Sequence, residues 1–98
     1  MARINIPKEK LAAFCKKWHV RKLSLFGSVL RDDFRPESDV DLLVVFEEGR
    51  VPGLITFSGM ELELDEILGR KTDLRTPEDL SRYFRDEVVR SAVEQYAA

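Results

Sequence analysis

The chain has 98 residues, 44% of them hydrophobic and 35% charged, with 5 Gly and 4 Pro; this predicts one globular domain over residues 1–98 and excludes a disordered, collagen-like or low-complexity chain. Sixteen Lys and Arg against eighteen Asp and Glu give a formal net charge of −2, no footprint for sequence-blind binding to nucleic acid or to an anionic membrane. The single cysteine, Cys15, excludes an intramolecular disulfide, no His and Cys cluster has zinc spacing, and no apolar run reaches signal-peptide or bilayer-spanning length, so the expected location is the cytoplasm, off the membrane.

Pro7 suits a first helical position, and Leu11, Phe14, Cys15 and Trp18 recur at i, i+3, i+4 and i+7, the apolar stripe of an amphipathic helix. Cys15 on that stripe reads as a small core residue rather than a reactive thiol, and His19 as a cation at a helix end rather than a catalyst. Lys22 to Phe26 is a short strand stopped by Gly27-Ser28, with a helical turn from Ser28 to about Asp33 capped by Ser28. Val40 to Phe46 is the most strand-like stretch, apolar on both alternating faces beyond Asp41, which predicts a central strand covered on both sides. Residues 47–54 read as a surface loop.

From Thr56 the pattern is helical. Phe57, Met60, Leu64, Ile67 and Leu68 share a face, Gly69 supplies the stop, and Glu61, Glu63, Asp65 and Glu66 lie largely elsewhere and read as a solvated acidic surface. Lys71 to Arg75 is a third strand, after which Thr76-Pro77-Glu78-Asp79 carries the cap, proline and acid of a helix start. Leu80, Phe84, Val88, Ala92 and Tyr96 then continue at i+4 spacing to the C-terminus, as one helix or, broken at Ser81, as a short turn and a longer helix. Trp18, Phe57, Met60 and Phe84 fit core stripes, whereas Tyr83 and Tyr96 suit either a core edge or a partner contact. The elements together predict an α/β (α+β) fold, a small mixed sheet of about three strands with helices packed on it.

One stretch, LFGSVLRDDFRPESDVDLLVVF, departs from plain scaffold. Asp39 and Asp41 stand two apart at the start of a strand, so both carboxylates emerge on one face. Two anions held together are destabilising unless a cation joins them, and a magnesium or manganese ion on carboxylate oxygens is the ordinary solution. A lone D-x-D is a weak signal, more often a solvated strand end. Its neighbourhood changes its meaning: Gly27-Ser28 closes one apolar strand, and ten residues later Asp39-Val40-Asp41 opens the next. A strand running through a Gly-Ser turn into a helix offers backbone N–H groups and a hydroxyl to a phosphate. Phosphate at the turn and metal at the acids are the two requirements of a magnesium nucleotide. Asp73 has the right element type to stand beside Asp41, because sequential strands joined by a helix usually neighbour each other.

The run Gly27-Ser28, ten residues, Asp39-x-Asp41 resembles the signature of the DNA polymerase β-like nucleotidyltransferase superfamily, most closely its minimal nucleotidyltransferases. FGSVLRDDFRPESDVDLLV is similar to that subfamily almost residue for residue, GRKTDLRTPEDL resembles its third motif, and the likeness covers essentially the whole chain. It implies a polymerase β-like nucleotidyltransferase fold in which Asp39, Asp41 and Asp73 are the catalytic residues and hold two Mg2+ ions, with Mn2+ as the alternative. Asp73 would serve the second metal and help deprotonate the attacking hydroxyl. Gly27 and Ser28 match the triphosphate contacts, and Arg31 a basic position just after the turn. Many members carry Gly where this chain has Asp32 and Arg where it has Val29, departures for which Arg35 is a candidate compensation.

The implied reaction transfers a nucleoside monophosphate, AMP from ATP or its counterpart from another nucleoside triphosphate, to a hydroxyl. In the resembled subfamily the partner is a small helical HEPN-type toxin adenylylated on a tyrosine, so an antitoxin role follows. Two other readings stand beside it: a non-catalytic subunit that neutralises its partner by occlusion, and a transferase whose acceptor is a small molecule or a nucleic-acid end, the latter disfavoured by the charge of −2.

Overall fold

The computed structural model describes residues 5–98 except 32, 33 and 36. Helix α1 (Lys8–Lys17) leads into strand β1 (Val20–Phe26), a 3-10 turn (Gly27–Leu30), strand β2 (Val40–Phe46), helix α2 (Leu54–Leu68), strand β3 (Thr72–Arg75), a second 3-10 turn (Pro77–Asp79), helix α3 (Arg85–Ser91) and strand β4 (Val93–Ala97). The sheet order is β3-β2-β1-β4; β1 is antiparallel to both β2 and β4, and β3 is parallel to β2.

The period of two in β2 sets the layers. Val40, Leu42, Val44 and Phe46 face the helices and join Leu23 and Leu25 of β1 and Leu74 of β3, against Leu11, Phe14 and Cys15 of α1 and Met60, Leu64 and Leu68 of α2. The odd-numbered face of β2 carries Asp41, Leu43 and Val45, and Leu43 and Leu80 are buried outside that core cluster. The parallel β2-α2-β3 unit has the helix that a parallel crossover requires. Gly69, at φ 66°, ends α2 in the left-handed conformation read from its position.

Several element bounds differ from expectation, among them the start of β1 at Val20 instead of Lys22 and of β3 at Thr72 instead of Lys71. Pro7 is the residue before α1, not its first, and Phe26 rather than Ser28 precedes the first 3-10 turn. That turn ends at Leu30, short of the expected end near Asp33, because Arg31 is already extended at φ −113°, ψ 163°; Asp32 and Asp33 lie outside the described residues. Helix α2 begins two residues early, at Leu54. The Thr76-Pro77 start closes on itself, with the Asp79 carboxylate accepting the Thr76 N–H at 3.1 Å, and yields one 3-10 turn instead of a long helix.

The largest difference is at the C-terminus, where the helix expected through Tyr96 stops at Ser91 and the sheet gains a fourth strand. The Ser91 hydroxyl donates back to the Glu87 carbonyl at 2.8 Å, and Ala92 turns extended at φ −62°, ψ 142°. β4 then pairs with β1, Val93 with Leu25 and Tyr96 with Leu23, and Tyr96 packs against the core. Long-range ladder bonds to an otherwise open edge outweigh a local i+4 pattern that helix and strand can both satisfy.

Candidate active site

Asp41 and Asp73 are direct register partners across β2 and β3, so both side chains stand on the sheet face away from α1 and α2. Asp41 is half-buried, and its carboxyl is pushed above its ordinary value, first by desolvation and then by the Asp73 charge. A hydrogen bond from the Ser28 backbone N–H and the nearby Arg75 guanidinium pull the other way, and Asp39 adds a smaller upward push. Arg75 Nη2 lies 3.3 Å from Asp73 Oδ2. Its guanidinium is held more firmly protonated by Asp73 and, less, by Asp41 and Asp79.

Gly27 makes the approach of Asp41 geometrically available. Its φ is +74°, and a β-carbon there would run into the Asp41 carboxylate, 3.2 Å from Cγ. One N–H of the Gly-Ser turn, expected to face a phosphate, is thus engaged by Asp41 from within the chain. Arg31 follows the turn as an exposed residue and closes it by donating its N–H to the Ser28 carbonyl at 2.9 Å.

Asp39 lies one residue before β2 and is exposed. Among the described residues no three His, Cys, Asp or Glu side chains are gathered closely enough to enclose an ion. Asp41 and Asp73 form a close pair, with Asp39 at its edge. The donor set fits a divalent cation all the same: it is all carboxylate oxygen, and the charge on Asp41 is disfavoured in a way that a cation between the strands relieves.

The segment that delivers Asp39 is tied down by Arg70, just beyond the end of α2. Its Nη2 donates to the carbonyls of Arg35 at 2.9 Å and Ser38 at 3.3 Å, and the guanidinium stacks 4.5 Å from the Phe34 ring centroid. Arg35 itself is exposed, and its N–H donates to the Ser38 hydroxyl at 3.2 Å. A cleft of about 330 Å³ opens over the carboxylate pair, lined by Phe26, Asp41, Asp73, Arg75, Asp79 and Phe84 among others. Phe84, expected on a core stripe, is 51% exposed and forms a wall of this cleft.

The acidic surface of α2 is not simply solvated. Glu61 and Asp65 bond to β3, and Glu63 pairs with Lys17 at 2.9 Å and accepts from the Trp18 indole at 3.3 Å. The available signal was their i, i+4 spacing on a helix that returns through Gly69 to an edge strand. His19 is a left-handed residue, φ 58°, joining α1 to β1. Cys15 is fully buried, and burial pushes its thiol up to about 12, as expected of core rather than of a nucleophile. No helix among the described residues is long and apolar enough to cross a membrane.

The fold is that of a solved structure assigned as a minimal nucleotidyltransferase, with a TM-score of 0.71 and 35% identity over 88% of this chain and 86% of that one. A chain of a toxin–antitoxin complex solved with AMP-PNP superposes with a TM-score of 0.74, covering 95% of this chain and 75% of its own, and at 18% identity the likeness is one of fold. The protein adenylyltransferase MntA of Thermococcus cleftensis is 36% identical over 78 residues, 80% of this chain and 77% of the relative. Residues 8–97 match the nucleotidyltransferase domain family, and the chain belongs to it as a minimal nucleotidyltransferase.

Proposed function

We propose that this nucleotidyltransferase is a magnesium-dependent, cytoplasmic protein adenylyltransferase that moves AMP from ATP to a hydroxyl, with a tyrosine of a HEPN-type toxin as acceptor, and so acts as its antitoxin. The observation that carries the reading is the register pairing of Asp41 with Asp73 beside the Gly27-Ser28 turn. The name of the MntA relative and the ATP analogue in the toxin–antitoxin neighbour support the nucleotide and the partner class.

In this reading Asp41 and Asp73 would hold the metal across β2 and β3, with Asp39 joining them from just before β2. Bound Mg2+ would neutralise the triphosphate and stabilise charge on the attacking and departing oxygens. Gly27 and Ser28 border the phosphates, with Arg31 following, and the Ser28 N–H holds the Asp41 carboxylate in place. Asp73 takes the proton of the acceptor hydroxyl. The new bond joins the acceptor oxygen to the α-phosphorus, the bond from that phosphorus to its bridging oxygen breaks, and pyrophosphate leaves. Phe26 and Phe84 give the cleft apolar walls beside the reacting groups, where an aromatic acceptor fits.

Labelled ATP, Mg2+ and the co-purified partner test the proposal, with Asp41→Asn in parallel. Label on the partner that is lost by several orders of magnitude in the variant is the expected result. Partner neutralisation that survives Asp41→Asn without transfer would establish occlusion instead, and label on a small molecule or nucleic-acid end would change the acceptor.

A further inference from the structure

Asp73 sits on an edge strand of only four residues, Thr72–Arg75. So short a strand fixes its register weakly through its own ladder bonds, and alternate N–H groups of an edge strand point away from its neighbour. Helix α2 takes up two of these groups. Asp65 Oδ1 accepts the Thr72 N–H at 2.7 Å and the Thr72 hydroxyl at 2.6 Å, and Glu61 Oε2 accepts the Leu74 N–H at 2.7 Å. The two bonded amides flank residue 73 on either side.

The spacing matches by geometry. Residues four apart on a helix are separated by about 6 Å along its axis, and amides two apart on a strand by roughly 6.6 Å. Carboxylate acceptors also bind N–H groups about twice as strongly as neutral ones. Thr72 is 3% exposed, so loss of its acceptor leaves a buried donor without its partner.

We infer that Glu61 and Asp65 are positioning residues: by pinning the amides of residues 72 and 74 they set the register that puts Asp73 opposite Asp41, and thereby the affinity of the site for a divalent cation. The inference rests on the reading of Asp41 and Asp73 as metal ligands. A one-residue slip of β3 would turn Asp73 to the helix-covered face and leave Asp41 without its partner.

Mn2+ titration of the full chain, followed by loss of the free-ion paramagnetic resonance signal, tests this on wild type, Glu61→Ala, Glu61→Gln, Asp65→Ala and Glu63→Ala, each with a thermal melt. The two alanine variants at 61 and 65 are expected to weaken Mn2+ binding about tenfold. Glu61→Gln, which keeps an acceptor oxygen, recovers most of the loss. Glu63→Ala, which breaks the contacts to Lys17 and Trp18 on the same helix, lowers the melting temperature and leaves Mn2+ binding unchanged. Wild-type affinity in both alanine variants, or an equal loss in Glu63→Ala, overturns the inference. Should Asp65→Ala not fold, the comparison of Glu61→Ala with Glu61→Gln decides. A wild type that takes up no Mn2+, or an Asp41→Asn that binds it equally well, overturns the ligand reading itself and the inference with it.

Discussion

The carboxylate of Asp41 occupies the space that a side chain at Gly27 would need, with the Asp41 Cγ only 3.2 Å from where a β-carbon would stand. Two chain positions fourteen residues apart in sequence are therefore coupled: the glycine is there because the acid is half-buried against it. Gly27→Ala strains a left-handed residue, at roughly 1–2 kcal/mol, and displaces Asp41 from the Ser28 N–H. The expected outcome is a lower urea midpoint together with more than a tenfold fall in nucleotidyl transfer. A variant matching wild type in both would refute the coupling.

The same carboxylate makes metal-free protein less stable than it need be. Asp41 has a raised carboxyl value in the folded state, so folding binds protons between the unfolded and the raised folded value, and stability falls as pH rises through that window. At neutral pH the full penalty is present; toward acid it fades. In EDTA at neutral pH, Asp41→Asn is expected to melt above wild type. Added Mg2+ should raise the wild-type melting temperature and leave that of the variant in place. Thermal melts at two pH values check both halves.

Arg70 anchors the stretch before Asp39 through two carbonyls and the Phe34 ring. Arg70→Ala is expected to cost about 1.5–3 kcal/mol, the range for hydrogen bonds to a charged group. Arg70→Lys recovers little, because an ammonium cannot reproduce the planar fork or the stacking. Urea denaturation measures the cost, and faster amide exchange at residues 38–40 would locate it.

Cys15 is predicted to be inert. With its thiol pushed up to about 12, the thiolate fraction at pH 8 is roughly one in ten thousand, and the side chain is fully buried. Alkylation at that pH should be undetectable in the native protein and rapid in 6 M guanidinium, a denaturing concentration. Rapid native labelling would show that α1 opens or that the thiol is exposed.

Much of the site could be read before folding was considered. A βαβ unit brings β3 beside β2, so that Asp73 meets Asp41, whereas Asp39, expected on the same strand face as Asp41, lies one residue before β2 and is exposed. The engagement of the Ser28 N–H by Asp41 was not readable, since it depends on how closely the turn packs on the strand. Phe84 was read as core because its i+4 spacing matches a helical stripe, yet the chain is turning there and its ring is half exposed over the cleft.

What the sequence alone determined is whatever period and composition encode locally: the apolar stripes of α1 and α2, the central strand β2, the Gly-Ser turn and the acids beyond it. Tertiary structure alone decided the rest. Residues 93–97 are a strand only because β1 has a free edge for them, and Glu61 and Asp65 are structural acceptors only because β3 lies at the other edge. Both outcomes depend on backbone groups left unpaired by distant segments, and a buried or edge N–H must find its acceptor wherever the completed fold has placed one.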